Sequence, residues 1–554
     1  VLKNVRILDV FTGEILEPND LAIADGLIVG WGDYKGREKV DLEGRIVVPG
    51  LIDGHVHLES SMVTPDQFAR AVVPRGTAAV VADPHEIANV CGNEGLEYIL
   101  QATENLPLRV YISVPSCVPA TDMEDNGATL DSRDIARWIP HSRVVGLGEV
   151  MDVPAVLRGD SDMLAKLEIT RNAGKVIDGH APGLTGKGLM RYRAFGVGSD
   201  HECTLAAEAR EKLQIGLRVM LREGTAARNL LDLLPAVSPE NLRYWMLVTD
   251  DRHPGDLLEE GHLDHLVRLA VKSGFDAVSA IRMATINTAE YFGLKRIGAI
   301  APGYRADLVV LDDLNSFSVA RVYCNGKLAA KEGKPLFEVQ TPSLEAVFNT
   351  CNVAPLKEKD FRIFAAGDEA RVIELVPGQI ITRKVIRKVK RINGEFVASP
   401  EQDIAKLAVI ERHCATGKIG RGLVQGFGLK RGALASTVAH DAHNLVVLGM
   451  DSRDMLVAAK VVVEMAGGLA LALDGKLLGT LPLEIAGLMS TLSLEEVRSR
   501  LFDLEARARE LGVRECFDPF LTMAFLSLAV ISELKVTNRG LIDVSAGEIV
   551  PVSL

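Results

Sequence analysis

In the stretch Val47-Val-Pro-Gly-Leu-Ile-Asp-Gly-His55-Val-His57, an apolar run of the kind found in buried parallel strands ends in a turn signal and delivers two histidines. On an extended chain, positions i and i+2 point to the same side, so both imidazoles can reach one point beyond the strand end. Neutral imidazole is the commonest metal ligand. His-x-His after a strand therefore reads either as half of a metal site or as two histidines in an ordinary loop. Further ligands at the ends of further strand-like runs favour the metal site. Thr77–Ala82 runs into Asp83-Pro-His85-Glu86, and a third run ends in Pro115-Ser116-Cys117. Val144-Val-Gly-Leu-Gly ends in Glu149, Lys175-Val-Ile-Asp-Gly in His180, and Gly196-Val-Gly-Ser in Asp200-His201-Glu202. A seventh run gives Arg222-Glu223, and Trp245-Met-Leu-Val-Thr ends in Asp250-Asp251-Arg-His253. Packing alone gives no reason for four histidines (His55, His57, His180, His201) and two carboxylates (Glu149, Asp250) to collect at strand ends.

Convergence needs a scaffold. Strands are expected near 46–53, 77–83, 108–115, 144–149, 175–180, 195–200, 217–221 and 244–249, alternating with helix-like segments. That alternation over 49–300 is the pattern of a (β/α)8 barrel, which spans about 250 residues and carries its chemistry at the strand C-terminal ends. Short alternating strands flank it, near Val5, Leu21 and Leu27 on one side and from Gly303 and Val319 on the other. The two flanks, 1–48 and 301–340, are expected to pair into one small β-sandwich into which the barrel is inserted. A Pro- and charge-rich linker, about 340–375, then leads to a C-terminal α/β unit over 376–554. Its glycine-rich run 417–428 lacks Gly-Lys-Ser/Thr and a dinucleotide spacing, so it is read as turns and close packing. His440 and His443 either cap a turn or contribute to a site wall.

At 554 residues the chain exceeds one hydrophobic core, so two to four domains are expected. A net charge of -12 disfavours a nucleic-acid backbone or an anionic membrane as partner. Seven scattered cysteines without a Cys-x-x-Cys pair point to a reducing compartment, and no signal peptide opens the sequence. The longest apolar run, near Pro519–Ile531, is too short to span a bilayer. The expectation is a soluble cytoplasmic protein.

The ordered set resembles the amidohydrolase superfamily. The likeness rests on Pro49-Gly-Leu-Ile-Asp-Gly-His-Val-His at the start. At the end it rests on Ala284-Thr-Ile-Asn-Thr-Ala-Glu-Tyr-Phe-Gly-Leu with Gly298-Ala-Ile-Ala-Pro-Gly-Tyr-Arg-Ala-Asp-Leu-Val-Val-Leu-Asp. Many relatives carry a carboxylated lysine on strand four; here Glu149 stands at that position. Together with Asp83-Pro-His-Glu, Gly179-His-Ala-Pro, Ser199-Asp-His-Glu and the C-terminal Val438-Ala-His-Asp-Ala-His-Asn, this departure is similar to the bacterial and archaeal adenine deaminases, over nearly the whole chain.

The resemblance implies a distorted TIM barrel holding two divalent metals, manganese or iron in preference to zinc. It also implies a homo-oligomer that hydrolyses adenine to hypoxanthine and ammonia in purine salvage. His55, His57, Glu149 and Asp250 are expected around one metal, and Glu149, His180 and His201 around the other. A hydroxide between them would attack C6, with Asp250 passing its proton to departing ammonia, a transfer worth about 10²–10⁴-fold. Glu86 or Glu202 would protonate N1. Asp83, His85 and Glu86 are alternatively groups that orient ligands, and Ser116, His440 and His443 are candidates for substrate contact or the same orienting role. Asp251 and His253 are expected to cap the loop after strand eight. Other ring substrates compete: a modified purine, a pterin or a cyclic amide. A non-catalytic scaffold is disfavoured because every ligand position is filled. The cytidine-type zinc deaminase fold is excluded, because its Pro-Cys-x-x-Cys is missing.

Overall fold

The computed structural model describes residues 1–338, 344–377 and 379–554. The boundary expected near 340 lies outside the described residues. The chain divides into two compact units. The first comprises Val1–Pro84, Ile99–Ser116 and Asp131–Pro342; the second comprises His85–Tyr98, Cys117–Leu130 and Ser343–Leu554.

The first unit contains eight parallel strands: β1 (Leu51–Val56), β2 (Thr77–Ala82), β3 (Arg109–Val114), β4 (Val144–Val150), β5 (Val176–Gly179), β6 (Ser199–Asp200), β7 (Arg218–Arg222) and β8 (Trp245–Val248). Strands β1 to β5 form one parallel sheet in chain order and β6 to β8 a second. A parallel bridge between Val56 and Asp250 sets the end of β1 beside the chain leaving β8. The result is a TIM-barrel-like α/β arrangement. Its strands are buried on both faces, which explains their near-continuous apolar runs. Alternate residues serve different cores: Leu51, Val219, Leu221, Trp245 and Leu247 pack in one, and Ile52, Met220, Met246 and Val248 in another.

The first expected strand is in fact two. Ile46–Pro49 pairs antiparallel with Leu308–Asp313, Val47 opposite Val310, while Leu51–Val56 joins the parallel sheet. The crossing falls at Gly50, where a Cβ would lie 2.4 Å from that of Ala78. Only a residue without a side chain lets the backbone pass so close. Leu2–Asp9 lies beside Ile46–Pro49, and Leu308–Asp313 continues into Ser318–Cys324 and Lys327–Lys331, all in one ten-stranded sheet. Strand six is shorter than expected, reduced to Ser199–Asp200.

In the second unit an eight-stranded sheet has antiparallel pairing at every step but one, Glu369–Leu375 beside Ile419–Gln425. Neighbours such as Gly468–Leu473 and Lys476–Pro482 are joined by hairpin turns rather than helical crossovers. Glu369–Leu375 also falls within the stretch read as linker. Helix Ser452–Glu464 covers one face with Met455, Ala458, Ala459 and Val462. Among the described residues no helix is long and apolar enough to cross a membrane.

Candidate metal centre

The expected ligands meet at the C-terminal ends of the parallel strands. Val56 bridges to Asp250, the Asp250 N–H donates to the His55 carbonyl at 3.0 Å, and the His57 N–H approaches the Asp250 carbonyl at 3.5 Å. At Asp250 the backbone turns left-handed, with φ of 58°. Aspartate tolerates that conformation better than most residues, and strained backbone of this kind gathers at functional sites.

The two oxygens of Glu149 face different partners. Oε1 lies 3.8 Å from His55 Nε2 and 3.4 Å from His57 Nε2, and the same two nitrogens lie 3.7 and 3.1 Å from Asp250 Oδ1. Oε2 lies 2.5 Å from His180 Nδ1 and 3.3 Å from His201 Nε2. Two ligand atoms each about 2.1 Å from one ion are separated by roughly 3.0–3.4 Å at octahedral or tetrahedral angles. Three of the six separations, those of His57 from Glu149 and Asp250 and of His201 from Glu149, fall in that span. His55 Nε2 is buried and has no hydrogen-bond partner, as a nitrogen reserved for a cation would be. The donor set fits a divalent-metal site.

Charge favours the same reading. Glu149, Glu202 and Asp250 bring three buried carboxylates against one guanidinium, that of Arg222. Burial opposes ionisation of Glu149, yet His180 and His201 hold its carboxyl well below the usual range. Burial likewise works against charge on His201, but Glu149 and Glu202 raise it well above an ordinary imidazole. His55 moves the other way, lowered by burial and by the neighbouring His201 and His57.

A metal ligand needs a lone pair, and the other ring nitrogen decides where it sits. His57 Nδ1 lies 2.8 Å from the Asp83 carbonyl, which only accepts. The proton is therefore on Nδ1, and the Nε2 lone pair faces Glu149 and Asp250. The Asp83 side chain also accepts from the Glu149 N–H at 2.8 Å. It reaches that amide because Gly148 has no side chain; a Cβ there would lie 2.1 Å from Asp83 Oδ2. The Ser116 hydroxyl donates to the Glu149 carbonyl at 2.6 Å, and Lys166 donates to the Ser116 carbonyl at 3.0 Å. Asp83 and Ser116 thus hold Glu149 by its backbone.

His85, Glu86, His440 and His443 belong to the second unit and are all buried. Glu86 Oε1 lies 3.2 Å from His440 Nδ1, Glu86 Oε2 lies 3.8 Å from His443 Nε2, and His85 Nε2 lies 3.8 Å from Asp441 Oδ1. The donors of Glu86, His440 and His443 all lie within 4.8 Å of one another. Even so, the Ala439 N–H donates to His443 Nδ1 at 3.1 Å, which puts the ring proton on Nε2. Nε2 of His443, 3.8 Å from Glu86 Oε2, then carries an N–H rather than a lone pair.

Asp251 accepts from the Ser60 hydroxyl at 2.5 Å, and its carbonyl accepts from the Thr225 N–H at 2.7 Å. His253 occupies the N-cap position of helix Pro254–Glu259 without a side-chain capping bond, so it marks the helix start by its backbone alone. The sequence named Arg222 at the end of strand seven without giving it a role. Its guanidinium binds both oxygens of Glu202 and, at 2.8 Å, Asp250 Oδ2. Its place at a strand C-terminal end was the available signal.

A sequence model of the amidohydrolase family matches residues 46–329, and the parallel-strand unit with its mixed histidine and carboxylate cluster is an amidohydrolase site. A second model, the adenine deaminase C-terminal domain, matches residues 379–548. The chain is 53% identical to adenine deaminase 2 of Carboxydothermus hydrogenoformans, over all of this chain and 97% of that protein. It is 49% identical to adenine deaminase of Desulfatibacillum aliphaticivorans (98% of this chain, 95% of that one). With the Kosmotoga olearia protein of the same name it shares 47% identity (98% and 94%). The chain belongs to the adenine deaminase family.

Proposed function

We infer that the chain hydrolyses adenine at C6, releasing ammonia and leaving hypoxanthine, a reaction that serves purine salvage. The observation that carries the reading is Glu149, whose two oxygens are divided between His55/His57 and His180/His201 while Asp250 faces the first pair. His55, His57 and Asp250 with Glu149 Oε1 would hold one divalent metal at the mouth of a closed (β/α)8 barrel; His180 and His201 with Oε2 would hold the other. Imidazole and carboxylate together suit manganese, iron or zinc, and the family likeness favours the first two. A bound divalent metal lowers the pKa of water toward about 7 and so supplies a nucleophile at neutral pH.

The chain's own groups move the protons. Asp250 Oδ1 faces the histidines and takes the proton of the attacking water, then gives it to the amino nitrogen as the C6–N bond breaks. Oδ2 stays on Arg222, which fixes the carboxylate during the transfer. Both oxygens of Glu202 lie on Arg222, and its carboxyl is held below the usual range despite burial, with Arg222 and His180 lowering it. A carboxylate so held anchors Arg222.

The test is ammonia release from adenine by manganese-loaded protein, with adenosine and dihydroorotate alongside. Turnover of adenine alone is expected. Turnover of dihydroorotate, or of no substrate with two metals bound, would overturn the assignment.

A further inference from the structure

His180 and His201 stand at the ends of two short strands, and each is followed by loop. A single helix, α1 (Ala206–Gln214), holds both. Its Lys212 is fully buried, and the ammonium donates to the Ala181 carbonyl at 2.7 Å, to Asp200 Oδ2 at 3.0 Å and to Glu208 Oε1 at 2.7 Å. An ammonium has three donors, and all three are used. Asp200 completes the lock: Oδ1 accepts from the Ala181 N–H at 2.7 Å and Oδ2 from the Glu202 N–H at 3.1 Å. Both backbone polar groups of the residue after His180 are therefore fixed by this pair, as are the residues on either side of His201. Glu208 Oε1 also accepts from the Gly183 N–H at 2.9 Å, and Glu211 Oε1 from the Gly186 N–H at 2.7 Å. None of these contacts reaches His55, His57 or Asp250.

A buried ion pair is a poor device for stability, since an apolar side chain of the same size often serves as well. What it does provide is one geometry. We propose that Lys212 is a positioning residue for the His180/His201 half of the metal centre, acting through Ala181 and Asp200 to set the affinity of that half alone.

The inference rests on the two-metal reading above, and the experiment separates the two. Full-length protein stripped with chelator is titrated with Mn²⁺, and bound metal and its electron paramagnetic resonance spectrum are recorded for wild type, Lys212→Met and the double variant Glu208→Ala/Glu211→Ala. Wild type should take two ions with a spin-coupled spectrum. K212M should keep one tight ion with a mononuclear spectrum, the second weakened about 10–100-fold, as removal of a group that orients a ligand does. E208A/E211A, which leaves the Lys212–Asp200 pair in place, should weaken the same ion several-fold, and it carries the test if K212M does not fold. Combining K212M with His57→Gln should abolish tight binding, whereas combining it with His201→Gln should add nothing to H201Q alone. Two equally tight ions in the folded variants, or equal weakening of both ions, would overturn the role of Lys212. One ion in wild type would overturn the two-metal reading first.

Discussion

His57 and His443 are both buried, both face a glutamate, and both lie among further histidines, yet their chemistry is opposite. The His57 Nδ1–H donates to the Asp83 carbonyl, so Nε2 offers a lone pair. His443 Nδ1 accepts from the Ala439 N–H, so Nε2 carries the ring proton. One backbone group on the far side of each ring sets the form of Nε2: a lone pair on His57 and an N–H on His443. Residue type and distance do not distinguish the clusters; the tautomer does.

The largest effect is expected at Glu149, the residue proposed to join the two halves of the metal centre. Glu149→Gln keeps the shape and removes the charge shared by His55, His57, His180 and His201. Metal affinity should fall by more than about 100-fold, beyond what loss of an orienting group costs, and adenine turnover should vanish with the circular dichroism unchanged. An active, metal-replete E149Q would remove the bridging role. The comparison itself is sharpened by a matched pair. His57→Gln should lose tight metal at the Asp250 end, while His443→Gln should retain both metals and lose about 1–3 kcal/mol of stability from an amide left without its acceptor. Loss of metal in H443Q would erase the distinction drawn from the tautomers.

Much of the metal centre was legible because a parallel-stranded scaffold puts its chemistry at strand ends, and sequence periodicity locates strand ends well. His55, His57, Glu149, His180, His201 and Asp250 each follow an apolar run, and the structure brings all six together. What the sequence did not disclose depends on three-dimensional partners. Gly50 reads as a turn within one strand, and only the closeness of Ala78 shows that two sheets meet there. Glu86 and Glu202 look alike as acids until Arg222 is seen on both oxygens of Glu202. The second unit's strands carry ordinary β patterning, which does not say whether a neighbour is parallel or antiparallel.

Arg222→Met comes next in size. It frees Asp250 Oδ2 and both oxygens of Glu202 without touching a histidine. Metal content should stay at two per chain while kcat for adenine falls about 10–100-fold, because the carboxylate proposed to move the proton is no longer held in one orientation. An unchanged kcat would show that Asp250 needs no such anchor.

The smallest effect concerns a second matched pair, the buried lysines 212 and 535. Lys212 meets two carboxylates, which raise its pKa despite burial. Lys535 meets the carbonyls of Ile380 and Phe525, each at 2.9 Å, and burial pushes it down to about 7. Between pH 7 and an unfolded value near 10.5, the folded chain binds fewer protons at Lys535 than the unfolded chain does. The contribution of Lys535 to stability must therefore rise with pH across that window, by at most ~1.4 kcal/mol per unit, and be constant below it. Lys535→Met removes this dependence. Relative to wild type, K535M should be at its most stable near pH 6, and the advantage should shrink by several degrees of Tm as the pH is raised from 7 to 10. A difference in Tm that stays constant across that range would mean that Lys535 is as protonated in the folded chain as Lys212 is, and that carbonyls alone can hold a buried ammonium.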